Sequence, residues 1–376
     1  MVSRAERSLV ANWWWTIDRW ILAAVGALII LGLVLTMAGS PPVAERLGLP
    51  TFHFVNRQVL YLIPSIAILV GTSFLTPSQV RRAALIIFLV SLALIIVALI
   101  FGHEVKGARR WIIGIQPSEF LKPAFVILIA WAFSEAGKRR DMPANLLAFL
   151  LLLITIIPLI LQPDFGQTML VSLVWVALFF MAGLHWFWLV GIGGAGLSGA
   201  YLAYKLVAHV RARVLKFIDP GAGGGVVDTF QVDTALESFL SGGWFGKGPG
   251  EGTVKRILPD AHTDFIFAVT AEEFGVLACV AIVLIFAFIV LRGLWLAARQ
   301  EDPFCRLAAA GLTILFGIQS AINMAVNVHL IPAKGMTLPF ISYGGSSLLS
   351  LALAIGFLIA VMRKRPGAAM IAGSLV

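Results

Sequence analysis

The sequence predicts an all-α integral membrane protein, a single polytopic domain over residues 1–376 with ten transmembrane helices and a large extracytoplasmic loop, 207–264, between helices 7 and 8. Three observations carry that expectation. The chain is 60% hydrophobic and only 12% charged, whereas a soluble domain holds roughly 45–50% apolar and about 25% charged residues. Its apolar residues fall in runs long enough to cross a bilayer, which takes about 20 residues per helix. Lys and Arg in the short loops alternate as the positive-inside rule requires. Together these exclude a water-soluble globule, a disordered chain and a disulfide-stapled secreted scaffold. Cys279 lies within an apolar run and Cys305 between two runs, so neither a disulfide nor a cysteine metal site is expected.

In order, the spans read 20–39, 57–75, 83–101, 119–137, 144–162, 166–183, 185–206, 265–293, 305–328 and 344–363. The first is too long for a signal-peptide core and lacks a small-residue cleavage site, so it reads as a retained span. Segment 265–293 opens on a stretch interrupted by Glu272 and Glu273, which suggests a short interfacial piece followed by a true span. With the N-terminus inside, the inner segments carry Arg4, Arg7, Arg19, Arg81, Arg82, Lys138, Arg139, Arg140, Arg292, Arg299, Arg306, Arg363, Lys364 and Arg365. The short outer loops carry only Arg46, Arg57 and Lys334. An even span count returns the C-terminus to the cytoplasm.

Two outer stretches break this rule. Lys106, Arg109, Arg110 and Lys122 belong to 102–122; Lys205, Arg211, Arg213, Lys216, Lys247, Lys255 and Arg256 belong to 205–264. Long loops translocate regardless of charge, which accounts for the second group but poorly for the first. The functional alternative is that both loops meet a phosphate outside the membrane. The net charge of +9 agrees with anionic lipid or a phosphate-bearing lipid substrate. Nucleic acid is not an expected partner, because no basic soluble domain exists to bind it.

Several familiar patterns fail on context. Gly191-Ile192-Gly193-Gly194-Ala195-Gly196 matches a dinucleotide fingerprint but lies inside an apolar span with no preceding strand. Its Gly191, Ala195 and Gly199 fall four apart, the spacing of close helix packing in membranes. Gly246-Lys247 resembles the end of a P-loop, but Ser241 and Gly248 break the pattern on both sides. His103-Glu104 has no second histidine four residues on, and no Gly-x-Ser-x-Gly elbow presents a serine nucleophile.

The polar residues concentrate in a few places. Asp264 ends the large loop where the chain enters the membrane; a carboxylate there can accept a proton from a bound hydroxyl or simply cap a helix. His262 either tunes Asp264 or is interfacial. Glu272 and Glu273 are intramembrane carboxylates, which default to a functional hypothesis. Pro117 starts a helix well, and Glu119 and Lys122, three apart, share one face at its outer mouth. Arg109 and Arg110 suit bidentate contact with phosphate. Trp111 either stacks on a sugar or anchors the interface. Asp164 sits in Gln162-Pro163-Asp164-Phe165-Gly166, a tight turn that Asp favours. Asn323 and Asn327, four apart, read as interhelical hydrogen-bond donors rather than ligands.

Seven motifs, in order across residues 107–347, resemble the SEDS family (shape, elongation, division and sporulation) of membrane glycosyltransferases. They are Gly107-Ala108-x-Arg110-Trp111, Gln116-Pro117-Ser118-Glu119-Phe120-x-Lys122, Gln162-Pro163-Asp164-x-Gly166, Arg213-x-x-x-Phe217-x-Asp219-Pro220, Gly242-Gly243-x-Phe245-Gly246-Lys247-Gly248, His262-Thr263-Asp264-Phe265-Ile266-Phe267 with Glu272-Glu273-x-Gly275, and Leu338-Pro339-Phe340-Ile341-Ser342-Tyr343-Gly344-Gly345-Ser346-Ser347. Lys334-Gly335-x-x-Leu338-Pro339-Phe340 resembles the division branch more than the elongation branch. The chain departs from the family pattern at Asp260, at Asn327-Val328-His329-Leu330 in place of Asn-x-Gly-Leu, and at Asp233 and Glu237 after Phe230-Gln231.

The resemblance implies polymerisation of lipid II at the outer face of the bacterial inner membrane, with Asp264 as the catalytic acidic residue. It implies substrate contacts from Arg109, Arg110, Trp111, Glu119, Lys122, Asp164, Arg213, Gln231, Lys247, His262, Lys334 and Ser342. A class B penicillin-binding protein and other divisome proteins are the implied partners, the division septum the implied place, and a divalent ion, Mg or Mn, the one cofactor left open. A lipid II flippase and a non-catalytic scaffold are the competing readings. Reporter fusions test the topology directly: a periplasmic reporter after residue 240 should be active, and one after residue 140 inactive.

Overall fold

The computed structural model describes residues 8–105, 108–136, 143–183, 186–206, 211, 226–332 and 335–363. The described helices, in chain order, are α1 (Leu9–Thr16), α2 (Arg19–Gly39), α3 (Pro41–Arg46), α4 (His53–Ser73), α5 (Pro77–Phe101), α6 (Pro117–Ala136), α7 (Ala144–Leu161), α8 (Phe165–Met181), α9 (Trp186–Leu206), α10 (Val226–Gly242), α11 (Ile266–Ala298), α12 (Pro303–Asn327) and α13 (Gly345–Met362). A helix stands at every expected span. Seven of them, α2, α4, α5, α7, α11, α12 and α13, are long and apolar enough to cross a membrane. α8 is apolar but shorter, and α1, α3 and α10 were not expected from hydropathy because none is long enough to span.

Local chemistry sets the helix starts. Asp18 accepts from Ile21 N–H to cap α2 and also takes two bonds from the Arg292 guanidinium, at 2.8 and 2.7 Å. Burial pushes the Asp18 carboxyl up, but these bonds outweigh it and hold it below the usual carboxylate range. Thr76 and Gln79 form a reciprocal capping box before Pro77 on α5. Asp302 caps α12 ahead of Pro303.

α6 and α13 fill the centre, buried on almost every side. α5 buries a single stripe, Val80, Ala84, Phe88, Ser91, Ile95 and Ala98, and turns Ile86, Leu89, Val90 and Val97 outward. Such a ring of exposed apolar helices suits hydrocarbon rather than water. Packing inside depends on small residues: a Cβ on Gly356 of α13 would come 1.9 Å from Thr72 Oγ1 of α4. The Gly191/Gly199 stripe behaves differently. A Cβ at either position would meet open space, so neither glycine packs against a described part of this chain.

Part of the loop 102–122 is regular. β1 (His103–Val105) and β2 (Ala108–Trp111) form an antiparallel hairpin with Val105 opposite Ala108. This is the one sheet among the described residues, too short for period-two patterning to reveal.

α11 is broken at Gly275, with φ 81° and ψ 174°. The interruption expected around Glu272 and Glu273 is therefore real and falls two residues on. The loop after α10 fills the notch: Lys247 N–H donates to Glu272 O at 2.9 Å, Gly248 N–H to Glu273 O at 3.0 Å, and Val276 N–H to Gly243 O at 2.9 Å. These bonds satisfy backbone that a broken membrane helix would leave unpaired. A Cβ on Gly275 would sit 2.3 Å from Trp244 O, on top of about 1–3 kcal/mol for a side chain in that backbone region. Gly275→Ala should therefore lower the thermal midpoint in detergent by several degrees, while Gly191→Ala, facing open space, should leave it unchanged or raised.

Candidate active site

Asp264 lies in the turn before α11, half-buried. The position flanking the helix is Phe265, with no side-chain cap. The capping role falls to another helix: Asn327 Oδ1 of α12 accepts from Ala268 N–H at 3.1 Å. The Asn327 and Asn323 amides both donate to the Asp264 carbonyl, each at 2.9 Å. Asn323 donates also to Met336 O at 2.6 Å. Both asparagines thus do what their spacing suggested, and their targets are the main chain on either side of the candidate carboxylate.

The segment 335–343 closes the other side. Tyr343 N–H donates to His262 O at 2.9 Å, and the Ser342 hydroxyl bonds Thr263 O while accepting from Leu338 N–H at 2.8 Å. Gly335, at φ +62°, approaches within 3.8 Å of Asp264 Oδ2, measured from where its Cβ would stand. His262 is buried between the rings of Phe54 and Tyr343, at 4.3 and 5.4 Å. Arg57 of α4 bonds the Tyr343 hydroxyl; burial pushes that phenol up against the pull of the guanidinium. Ser342 thus meets the residue before Asp264, and Arg57 meets Tyr343 of the same segment, adjacencies that long sequence separation hides.

Glu119 and Lys122 share a face, as their spacing requires, but the pair lies inside the bundle instead of at an open mouth. Lys122 Nζ is 2.9 Å from Glu119 Oε2 and 3.1 Å from Gln319 Oε1, and both charged side chains are almost fully buried. Gln167 donates to Glu119 Oε1 at 2.8 Å. Gln319 in turn donates to Thr337 O at 3.3 Å, so this cluster touches the same segment that borders Asp264.

Asp164 is more than a turn residue: it caps α8 through Gln167 N–H. Burial pushes its carboxyl above the ordinary range, against the pull of Arg110, whose Nη1 lies 3.7 Å from Oδ2. Arg110 also donates to Gln162 O at 3.1 Å and to Pro163 O at 2.5 Å. Arg109 is half-exposed, 4.0 Å from Glu104, and Trp111 is exposed at the end of β2.

Lys247 and the two intramembrane glutamates form a third cluster. Glu272 accepts from the main-chain N–H groups of Thr253, Val254 and Lys255, at 2.6, 2.7 and 2.9 Å, and Lys247 Nζ stands 3.9 Å away. Glu273 pairs with the buried Lys255, which also reaches Ala38 O at 3.1 Å. Both glutamates fasten the loop to α11, a structural reason for carboxylates at that depth. Gln231 is half-buried on α10. Arg213 and Lys334 lie outside the described residues.

Among the described residues no group of three or more His, Cys, Asp or Glu converges to hold a metal. A single carboxylate such as that of Asp264 would suit Mg2+, which commonly takes one or two carboxylates together with substrate phosphates.

The family model described as "Cell cycle protein", that of FtsW, RodA and SpoVE, matches residues 19–366. The chain belongs to that family, the SEDS family. A relative in Caulobacter vibrioides, named probable peptidoglycan glycosyltransferase FtsW, is 46% identical over 371 residues, covering 97% of this chain and 94% of the relative. A Geobacter sulfurreducens protein of the same name is 34% identical over 361 residues, covering 93% and 96%. Among solved structures, a peptidoglycan synthase complex described as coordinating polymerization and crosslinking gives a TM-score of 0.78 at 27% identity, over 93% of this chain and 99% of that one. The rod shape determining protein RodA of Thermus thermophilus gives 0.68 at 26% identity, over 94% and 99%.

Asn327→Ala should strip one donor from the Asp264 carbonyl and one acceptor from Ala268 N–H, which keep Asn323 and the Phe265 carbonyl as partners; each hydrogen bond lost is worth about 0.5–1.5 kcal/mol. The variant should melt earlier in detergent and lose glycan synthesis with Asp264 itself intact, as read by paired melting and lipid II polymerisation assays.

Proposed function

We propose that this protein is a division-type peptidoglycan glycosyltransferase that joins lipid II into glycan strands at the outer face of the cytoplasmic membrane. One observation carries the reading: Asp264 is a half-exposed carboxylate whose main chain is fixed from two sides, by Asn323 and Asn327 and by segment 335–343. A general base has to be both accessible and held in place. The names of the relatives support the reaction and the division type. The synthase complex among the solved structures supports a crosslinking partner, a class B penicillin-binding protein, alongside other divisome proteins. In this reading the ten helices all span, both termini are cytoplasmic, and 207–264 is the extracytoplasmic loop.

In the reaction, the 4-hydroxyl of an acceptor GlcNAc attacks the anomeric carbon of a donor MurNAc. The new O4–C1 bond forms as the C1–phosphate oxygen bond breaks, and undecaprenyl pyrophosphate leaves with the electron pair. Asp264 takes the hydroxyl proton. Arg109 and Arg110 offer N–H donors to the departing phosphates, with Lys247 and Arg213 as further cations. Lys122 is buried and acts by position, through Gln319 on the carbonyl of Thr337. A Mg2+ or Mn2+ ion held by Asp264 with the phosphates would neutralise charge on the leaving group. Trp111, exposed on its strand, is the candidate sugar platform.

The flippase reading asks for a polar route through the middle of the bundle. Hydroxyls in the middle of the helices argue against one, because they bond carbonyls of their own helices: Thr155 to Leu151 and Thr313 to Ala309. The middle of α6, from Ala124 to Ile129, is buried and entirely apolar.

Asp264→Asn keeps size and polarity but cannot take the proton. With lipid II in detergent and the partner's transpeptidase serine blocked, polymer formation should fall by about 10²–10⁴-fold, with the protein still folded. Near-normal polymer from the Asn variant would overturn the assignment of Asp264. Failure of the native complex to make polymer, with lipid II moving between leaflets of vesicles independently of Asp264, would favour transport.

A further inference from the structure

α12 ends in a turn built for glycine. Leu330 N–H donates to Ala325 O at 2.9 Å and His329 N–H to Val326 O at 3.1 Å, the two bonds of a Schellman motif with Val328 as the cap. His329 occupies the position after the cap, at φ +59°. Glycine is the usual occupant there, because a Cβ strains that backbone. The histidine gains a contact that glycine could not make: its Nδ1 lies 3.7 Å from Asp233 Oδ1 of α10. The fold thus brings His329 and Asp233, far apart in sequence, face to face.

α10 otherwise holds on by one side. Val232, Ala235 and Ser238 are buried, and Phe239 sets its ring 5.7 Å from that of Phe267 on α11. Asp233 sits away from that side, largely exposed. We infer that His329 and Asp233 form a clasp that fixes α10 against the end of α12 and thereby sets the substrate-binding edge of the site relative to Asp264. Both are positioning residues. The α12 end they grip carries Asn323 and Asn327, which hold the Asp264 carbonyl. The α10 end they grip carries Gln231, two residues before Asp233. Loosening the clasp leaves the carboxylate in place but lets the facing helix wander, so substrate binding suffers before chemistry. The kinetic part of this inference rests on the polymerase reading; the mechanical part does not.

The test uses the full chain with its penicillin-binding partner. Wild type, Asp233→Asn, Asp233→Glu, His329→Gly and the Asn/Gly double variant are compared by amide exchange over 231–242 and by lipid II kinetics. Asp233→Asn and His329→Gly should each speed α10 exchange and raise KM by about two- to five-fold, the range for one part-exposed ion pair, with kcat held. The double variant should be no worse than either single one, and Asp233→Glu should restore wild-type behaviour. His329→Gly relieves the strained turn, so its melting midpoint should not fall, which separates loss of the clasp from misfolding. Unchanged α10 exchange in both single variants, or a double variant equal to the product of the two effects, would overturn the clasp. If wild type makes no polymer, the functional reading fails, and the exchange data alone decide the clasp.

Discussion

The candidate site depends on two buried carboxamides one turn apart on α12. Asn323 and Asn327 converge on a single carbonyl, that of Asp264, and Asn327 also takes up an N–H at the start of α11. A broken helix entering a low-dielectric interior leaves its first N–H groups without partners, and an unpaired polar group there is costly. Asn327 gives one of them, Ala268 N–H, a further acceptor from a neighbouring helix. The same bonds decide where the Asp264 side chain begins, so fold stability and site geometry are set by the same atoms.

A continuous polar chain extends from there. Gln319, two turns before Asn327, holds the Thr337 carbonyl and accepts from Lys122; Lys122 pairs with Glu119; Glu119 accepts from Gln167; and Gln167 N–H meets Asp164, which faces Arg110. Charges this deep are tolerable only when each is paired and hydrogen-bonded. The network therefore leaves little freedom to any one member. Removing a single partner strands a charge, which is more damaging than the modest net value of the pair suggests.

Hydropathy and charge made the helices legible, because crossing a bilayer imposes length and apolarity on every span. They could not reveal α1, α3 or α10, which obey no such constraint, nor a hairpin of three- and four-residue strands. At the site, Asp264, Glu119, Lys122 and the two asparagines stood out because polar residues in apolar surroundings are conspicuous. Their partnerships were less visible. Arg57 meets Tyr343, and Ser342 meets Thr263, only because α4 and segment 335–343 fold against the turn before α11. Glu272 and Glu273 show the converse: a conspicuous pair whose work is to hold a loop.

The break at Gly275 divides α11 into parts with different attachments. The turns before it are held by Asn327 and the stretch after it by Asp18 through Arg292, while the loop after α10 bonds main chain on both sides, Glu272 and Glu273 before the break and Val276 and Leu277 after it. The loop therefore splices the helix: where the ladder of α11 is interrupted at Gly275, main-chain groups of another segment stand in for the missing turn and carry the polypeptide's hydrogen bonding across the gap.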